Sequence, residues 1–301
     1  MLGHCASVRS MAGALQFGFF PEPQTAALSD LVRRVQWADR NGLDLIGIQD
    51  HPYQRRFADT FVLLAHLAAV TQRVRLFPDV ASLPLRGPTM LAKQAATIDL
   101  LSGGRFELGV GAGGFAEAIA GLGGPRRSPG ESLRALREAI GIIRALWTDQ
   151  RGLRIEGEHY RLAGAHGGPR PAHDIGIWVG GYGPRMVQLI GEAADGWVPS
   201  MAYLPPAALA ERGQLLDEAA AGAGRDPRSI RRIYNISGTI QDAVEPSEQA
   251  ITGPPAYWRD RLLDLAHRHH IDAFVLWAAG DIDEQLARFA LEVVPEVREA
   301  A

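Results

Sequence analysis

Eight times along this chain a short apolar run is followed by a longer stretch whose apolar residues recur at helical spacing. That alternation constrains the fold more than any other feature. The runs are LQFGFF (15–20), LDLIGI (43–48), VRLFPDVAS (74–82), RFELGVGAG (105–113), IGIWVGG (175–181), GWVPS (196–200), IRRIYNISGTI (230–240) and DAFVLWA (272–278). After the first, Leu28, Leu31, Val32, Val35 and Ala38 mark one face of a helix that Asn41-Gly42 stops. Phe61, Leu64, Ala65 and Ala68 mark the second. Pro88 opens a third through Leu101, with Ser102-Gly103-Gly104 as its stop. Helices are also predicted over 131–147, 184–194, 205–222, 254–269 and 283–299. Such alternation requires parallel strands covered by helices, and strands buried on both faces read as continuous apolar runs. Eight units in about 290 residues predict an α/β fold, a (β/α)8 TIM barrel with insertions. A doubly wound open sheet is the competing arrangement. The eighth unit and the lack of a second-domain boundary favour the barrel.

Residues 14–301 therefore read as a single barrel domain, with an insertion at about 149–174 that holds a small hairpin around GEHYRL. Residues 1–13 lack the apolar core of a secretory signal and read as a flexible N-terminal leader, with Met11 offering a second start. The chain is 47% hydrophobic and 22% charged with a net charge of -3, an ordinary soluble composition. It has no basic block that would suit nucleic acid, and no apolar run of membrane-spanning length. A cytoplasmic location is the default. The lone cysteine, Cys5, rules out a disulfide framework or a cysteine metal cluster. HRHH (267–270) lies at a helix end, where cations suit the dipole, and no carboxylate pattern accompanies it. His159 reads as structural, so no metal site is expected.

In a (β/α)8 barrel, chemistry sits at the C-terminal ends of the strands. GGYGPR (180–185) ends the fifth run with three glycines, and Pro184 stands where a helix would begin. Glycine lets the backbone approach a ligand, and the helix N-terminus favours an anion, with Arg185 adding charge. Phosphate binding is a stronger reading than a plain turn. GVGAGG (109–114) matches the dinucleotide fingerprint formally, but no regular helix follows. A bare backbone surface for a flat ring, including Gly111 and Ala112, is the better reading. The second run ends in Asp50-His51-Pro52. His51 suits proton transfer near neutrality and Asp50 could orient it, yet Asp-x-Pro is also common turn chemistry. Spacing alone leaves the two readings even.

IGIQDHPY (46–53), LPLRGPTMLAKQAATIDLLSGGRFELGVGAG (83–113) and IWVGGYGPRMVQLIGEAADGWVPS (177–200) together resemble the bacterial luciferase-like monooxygenase superfamily, most of all its coenzyme F420-dependent oxidoreductase branch. The likeness runs from about residue 14 to the end. It implies a barrel that binds a flavin or deazaflavin ring at its mouth. It also implies a non-prolyl cis peptide behind the ring, corresponding here to Asp79-Val80, beside Ala81. By the same resemblance Gly180, Gly181, Tyr182, Gly183, Pro184 and Arg185 hold the coenzyme's phosphate region, Asp50 contacts the coenzyme and His51 is the catalytic proton-handling residue. Phe19, Phe115, Tyr182, Trp197 and Trp277 are candidates to shape a substrate pocket. Sugar-phosphate dehydrogenases of this branch carry an acid after the strand-four glycines, where Gly114 stands, and substrate-holding lysines. The only lysine here is Lys93, on the third helix. A sugar phosphate is therefore disfavoured as substrate. The expectation is an F420-dependent oxidoreductase passing a hydride between the deazaflavin and a small organic molecule. An FMN-dependent monooxygenase and a non-catalytic flavin-binding protein are the alternatives, and a homodimer is implied.

Overall fold

The computed structural model describes residues 14–301, so the expected leader, Cys5 and Met11 lie outside the described residues. The strands are β1 (Gln16–Phe19), β2 (Leu45–Ile48), β3 (Arg75–Pro78), β4 (Ala81–Ser82), β5 (Leu108–Gly111), β6 (Leu153–Glu156), β7 (Arg161–Ala165), β8 (Ile177–Gly180), β9 (Gly196–Trp197), β10 (Arg231–Ile240), β11 (Ile251–Gly253) and β12 (Ala273–Ala278). The main sheet runs β3-β2-β1-β12-β10-β9-β8-β5-β4, with every pairing parallel. It closes on itself: β4 pairs with β5, and Leu76 of β3 bridges to Phe106 just before β5. This is a (β/α)8 barrel whose third stave is in two pieces. The break between β3 and β4 falls at Asp79-Val80, and that peptide bond is cis.

The helices follow the sequence signals closely. Leu28–Arg40 ends at Asn41 and Gly42, the latter at φ 85°. Pro88–Ser102 ends at Gly103 in the left-handed region, a backbone conformation that costs glycine little. Pro129–Leu146 starts on a Ser128/Glu131 capping box, which satisfies two otherwise orphaned N–H groups. The last helix, Ile282–Arg288, continues through a π-helical turn into Val294–Ala300. In the stretch read as irregular, Ala116–Gly121 is a short helix. The expected hairpin is the antiparallel pair β6–β7, packed on Ile142 of the fourth long helix.

Two apolar layers form because successive residues of each stave face opposite ways. Phe17, Phe19, Ile46, Ile48, Leu76, Val179, Trp197 and Tyr234 face out into the large core beneath the helices. Phe20, Leu45, Phe77, Trp178, Val198, Ile233, Ala273 and Val275 fill the barrel interior. Toward the C-terminal ends of the strands, the polar side chains of Asp79 and Asn235 join this inward-facing set.

Candidate active site

Asp50 and His51 follow the last residue of β2, so they stand at the C-terminal rim. Asp50 is 2% exposed. Its Oδ2 accepts from the Ser82 N–H at 2.8 Å and from Arg86 Nε at 2.7 Å, and its Oδ1 accepts from Arg86 Nη2 at 2.7 Å. Arg86 also reaches Asp59 at 2.8 Å and lies 4.7 Å over the Phe61 ring. This bidentate pair ties the end of β2 to the turn after β4. A carboxylate has about four acceptor positions, so one on Oδ1 is left for a ligand.

His51 is half-buried, and burial lowers its pKa against the opposing pull of Asp50. Burial first, then Asp50 and Tyr203, push the Tyr53 phenol up to about 12. Both rings are therefore neutral near pH 7, with His51 Nδ1 2.5 Å from the Tyr53 hydroxyl. The phenol can donate to Nδ1, which leaves the ring proton on Nε2. It can equally accept from Nδ1–H, which leaves a lone pair at Nε2. Phe115 meets the His51 ring edge-on at 5.5 Å and packs on Tyr53 at 5.9 Å.

Aromatic surface continues around the rim. Tyr182 and Tyr203 stack at 5.8 Å with ring planes 9° apart, and both are exposed. Trp277 packs on Phe20 at 5.4 Å. Of the five residues named beforehand for a substrate pocket, Phe115, Tyr182 and Trp277 are at the mouth. Phe19 and Trp197 are not: each is 1% exposed in the outer core, and Trp197 Nε1 donates to the Gly181 carbonyl at 2.7 Å. The reason is the two-residue period of a strand. Phe20 and Val198 are the inward-facing neighbours.

The strand-end glycines serve a different neighbour from the one expected. A Cβ on Gly111 or on Gly180 would come within 2.8 Å of Val80 Cγ2, and one on Gly109 within 2.0 Å of the Pro78 carbonyl oxygen. The bare backbone of β5 and β8 is thus occupied by the Asp79-Val80 bulge. Val80 is partly buried and packs on the interior cluster. Ala81 is buried on β4, and Ala112 packs against the outer core.

At the glycine loop, Gly183 precedes the helix Pro184–Ala193, with Pro184 in its first turn. The N–H groups of Met186 and Val187 return to the Gly183 carbonyl. Those of Tyr182, Gly183 and Arg185 make no hydrogen bond to other backbone among the described residues. Arg185 is exposed, and Arg212 braces the loop by donating to the Tyr182 carbonyl at 3.0 Å.

Inside the rim lies a polar floor. Asn235 Nδ2 donates to Asp79 Oδ1 at 3.0 Å and to Ser200 Oγ at 3.1 Å. Asp79 Oδ2, Asn235 Oδ1, Gln49 Nε2 and Ser82 Oγ are buried and have no partner among the described residues. These four residues are only 6–9% exposed. A buried unpaired polar atom costs about 1–3 kcal/mol, so four at one set of strand ends call for an explanation. Burial pushes the Asp79 carboxyl up to about 7, with the Asn235 hydrogen bond opposing. Sequence reasoning missed Asn235, Tyr53, Tyr203, Arg86 and Arg212. For Asn235 a signal existed: a lone amide in an apolar strand, two residues from inward-facing Ile233.

Elsewhere, Glu138, Glu158 and His159 bring potential metal-ligand atoms within 4.8 Å of one another. Glu138, however, already accepts the N–H groups of Glu158, His159 and Tyr160 at 2.9–3.1 Å, which makes it the cap of the hairpin turn. No helix among the described residues is long and apolar enough to cross a membrane.

Comparison with known proteins places this geometry. The family model for luciferase-like monooxygenases matches residues 10–289. An F420-dependent glucose-6-phosphate dehydrogenase of Nocardia farcinica is 30% identical over 286 residues, covering 92% of this chain and 84% of that protein. A like-named enzyme of Gordonia bronchialis is 27% identical, covering 87% and 78%. Among solved structures, an F420-dependent secondary alcohol dehydrogenase in complex with an F420-acetone adduct superposes with a TM-score of 0.85. It shares 19% identity and covers 95% of this chain and 99% of its own.

Proposed function

The chain belongs to the luciferase-like monooxygenase family, and from that premise we propose that it is a coenzyme F420-dependent oxidoreductase acting on a small, neutral, apolar alcohol or carbonyl compound. The observation that carries the reading is the neutral His51–Tyr53 pair at the barrel mouth, in a chain matched along nearly its whole length by an F420-dependent dehydrogenase. When bound, the coenzyme supplies the carbon that gives or takes the hydride. The residues present suit such a group. The unpaired atoms of Gln49, Asp79, Ser82 and Asn235 offer donors and acceptors to the edge of a polar ring. Val80 offers an apolar surface to its face. The glycine loop with Arg185, at the start of the helix Pro184–Ala193, suits a phosphate.

His51 Nε2 handles the substrate proton. With the Tyr53 hydroxyl donating to Nδ1, Nε2–H serves a carbonyl oxygen. With the hydroxyl accepting, Nε2 takes an alcohol proton. Asp50, anchored by Arg86, holds this corner in place and keeps one acceptor position for the coenzyme. Phe115, Trp277 and the Tyr182–Tyr203 stack wall the open side, a surface for apolar groups. Lys93 donates to the Gly168 carbonyl at 3.1 Å, and the position after the strand-four glycines is Gly114, so neither of these two positions supplies a group to hold a sugar phosphate. The homodimer belongs to the same proposal; Val62, Met90, Leu100 and Leu101 give the second and third long helices an exposed apolar face.

Titrating the protein separately into F420 and FMN, with coenzyme fluorescence as the readout, tests the assignment. Tighter binding of F420 is expected. A preference for FMN overturns it.

A further inference from the structure

Among the buried polar groups at the mouth, the Asp79 carboxyl is the one whose protonation state the mechanism above leaves unassigned. It stands at the end of β3, facing the barrel interior: its Oδ2 lies 2.9 Å from where a Cβ on Gly47 would be. One oxygen is fixed from across the barrel by Asn235, which is itself fixed by its sheet neighbour Ser200. The other oxygen has no partner among the described residues, and neither does the Asn235 carbonyl beside it. Asp79 and Asn235 are 9% and 6% exposed, so solvent barely satisfies these atoms. An amide that donates both ways and leaves its carbonyl unpaired, next to a carboxyl with one free oxygen, makes a matched acceptor–donor edge if the carboxyl carries its proton on the free oxygen.

We propose that Asp79 binds the coenzyme as a neutral acid, donating from Oδ2 to an acceptor on the ring edge while Asn235 Oδ1 accepts from an adjacent ring N–H, so that coenzyme binding takes up a proton. This rests on the F420 reading of the mouth. No counter-charge stands against Asp79 to hold it ionised. From β2 it faces Gly47 and Gln49; the Asp50 carboxylate at that strand's end is paired with Arg86, and His51 is neutral. β5 and β8 present glycines, β10 presents Asn235, and the segment after β9 presents Ser200. β1 and β12 contribute Phe20 and Val275 to the interior. Burial therefore decides the protonation, and it places the free carboxyl's titration at about 7, where a ligand that needs the proton can recruit it. The Asp99–His173–Glu107 cluster is more strongly charged, but it lies at the opposite end of the barrel.

The test is the F420 dissociation constant, by fluorescence quenching, from pH 5.5 to 9 for the wild type and D79N. Titration of the coenzyme itself is common to both proteins and cancels in the ratio. Wild-type affinity should weaken relative to D79N by up to about tenfold per pH unit above pH 7, the slope of one linked proton. Titration calorimetry at pH 8 in two buffers of different ionisation enthalpy should give up to one more proton taken up by the wild type. D79S provides the same comparison should D79N not fold. Parallel pH curves and equal proton uptake overturn the role of Asp79 while leaving the coenzyme assignment standing. Absence of F420 binding to the wild type at every pH overturns both.

Discussion

His173 should make this protein's stability fall as the solution becomes alkaline. The imidazole sits at the N-terminal end of the barrel, between Asp99 Oδ1 at 2.8 Å and Glu107 Oε1 at 3.2 Å, with Arg75 on the same Glu107 oxygen at 2.9 Å. Asp99 is fully buried and Glu107 is 7% exposed, so neither carboxylate has bulk water as a substitute partner. Burial works against the charged ring, but hydrogen bonds and charges from the two acids prevail and push the pKa up to about 9, from an ordinary 6.5. At about 1.4 kcal/mol per pH unit the shift corresponds to roughly 3 kcal/mol, reduced to about 2 because a quarter of the side chain meets solvent. The folded state binds the proton more tightly than the unfolded chain. The contribution is therefore complete below pH 6.5, shrinks as pH rises and is gone above about 9. His173→Gln keeps a neutral donor and removes the titration. In urea unfolding the variant should be less stable by about 2 kcal/mol at pH 6, and the gap should close by pH 9.5. Asp79 titrates in both proteins and leaves the difference untouched. A gap that stays constant from pH 6 to 9.5 refutes the reasoning.

Two other substitutions probe the mouth. His51→Ala should cut turnover at least about a hundredfold with F420 affinity nearly unchanged, and Tyr53→Phe should lower kcat and shift its pH profile by removing the Nδ1 partner; unaltered steady-state rates and profiles would count against both roles. Arg86→Met strands the buried Asp50 carboxylate and should cost about 3–5 kcal/mol in denaturant unfolding, most of it recovered in the D50N/R86M double variant. Additive losses would mean the pair is not the anchor of this corner.

The barrel was legible because its signals are local. Apolar runs announced the staves, and Asn41-Gly42, Ser102-Gly103 and the prolines at helix starts announced where the helices begin and end. What a fully buried parallel strand does not announce is its parity. Both faces of FGFF are apolar, so nothing local says that Phe20 rather than Phe19 enters the barrel. The glycines of β5 and β8 were legible as a close approach but not as an approach by Val80, because that neighbour comes from another stave. Tyr203 and Arg212 reach the mouth from a loop and a helix after β9, where no periodicity marks direction. Their partner Tyr182 was found only through the glycines beside it.

Perturbed titration alone does not find the active end of this barrel. His173 and Asp79 both titrate far from their ordinary values, and both are wrapped in side chains from several staves. They differ in what their hydrogen-bonding atoms lack. Asp99 accepts from Phe106, Ala172 and His173, and Glu107 accepts from Arg75, His173 and Gly176, so that cluster closes on itself as a structural clamp. Asp79 and Asn235 satisfy one another on one side only, and the atoms they leave over sit among Gln49 and Ser82 at the C-terminal ends of the strands. A network complete without a ligand stabilises the fold. The half-satisfied one at the strand ends is where the proposal seats the edge of the coenzyme, and the side of the barrel on which it lies agrees with where such folds do chemistry.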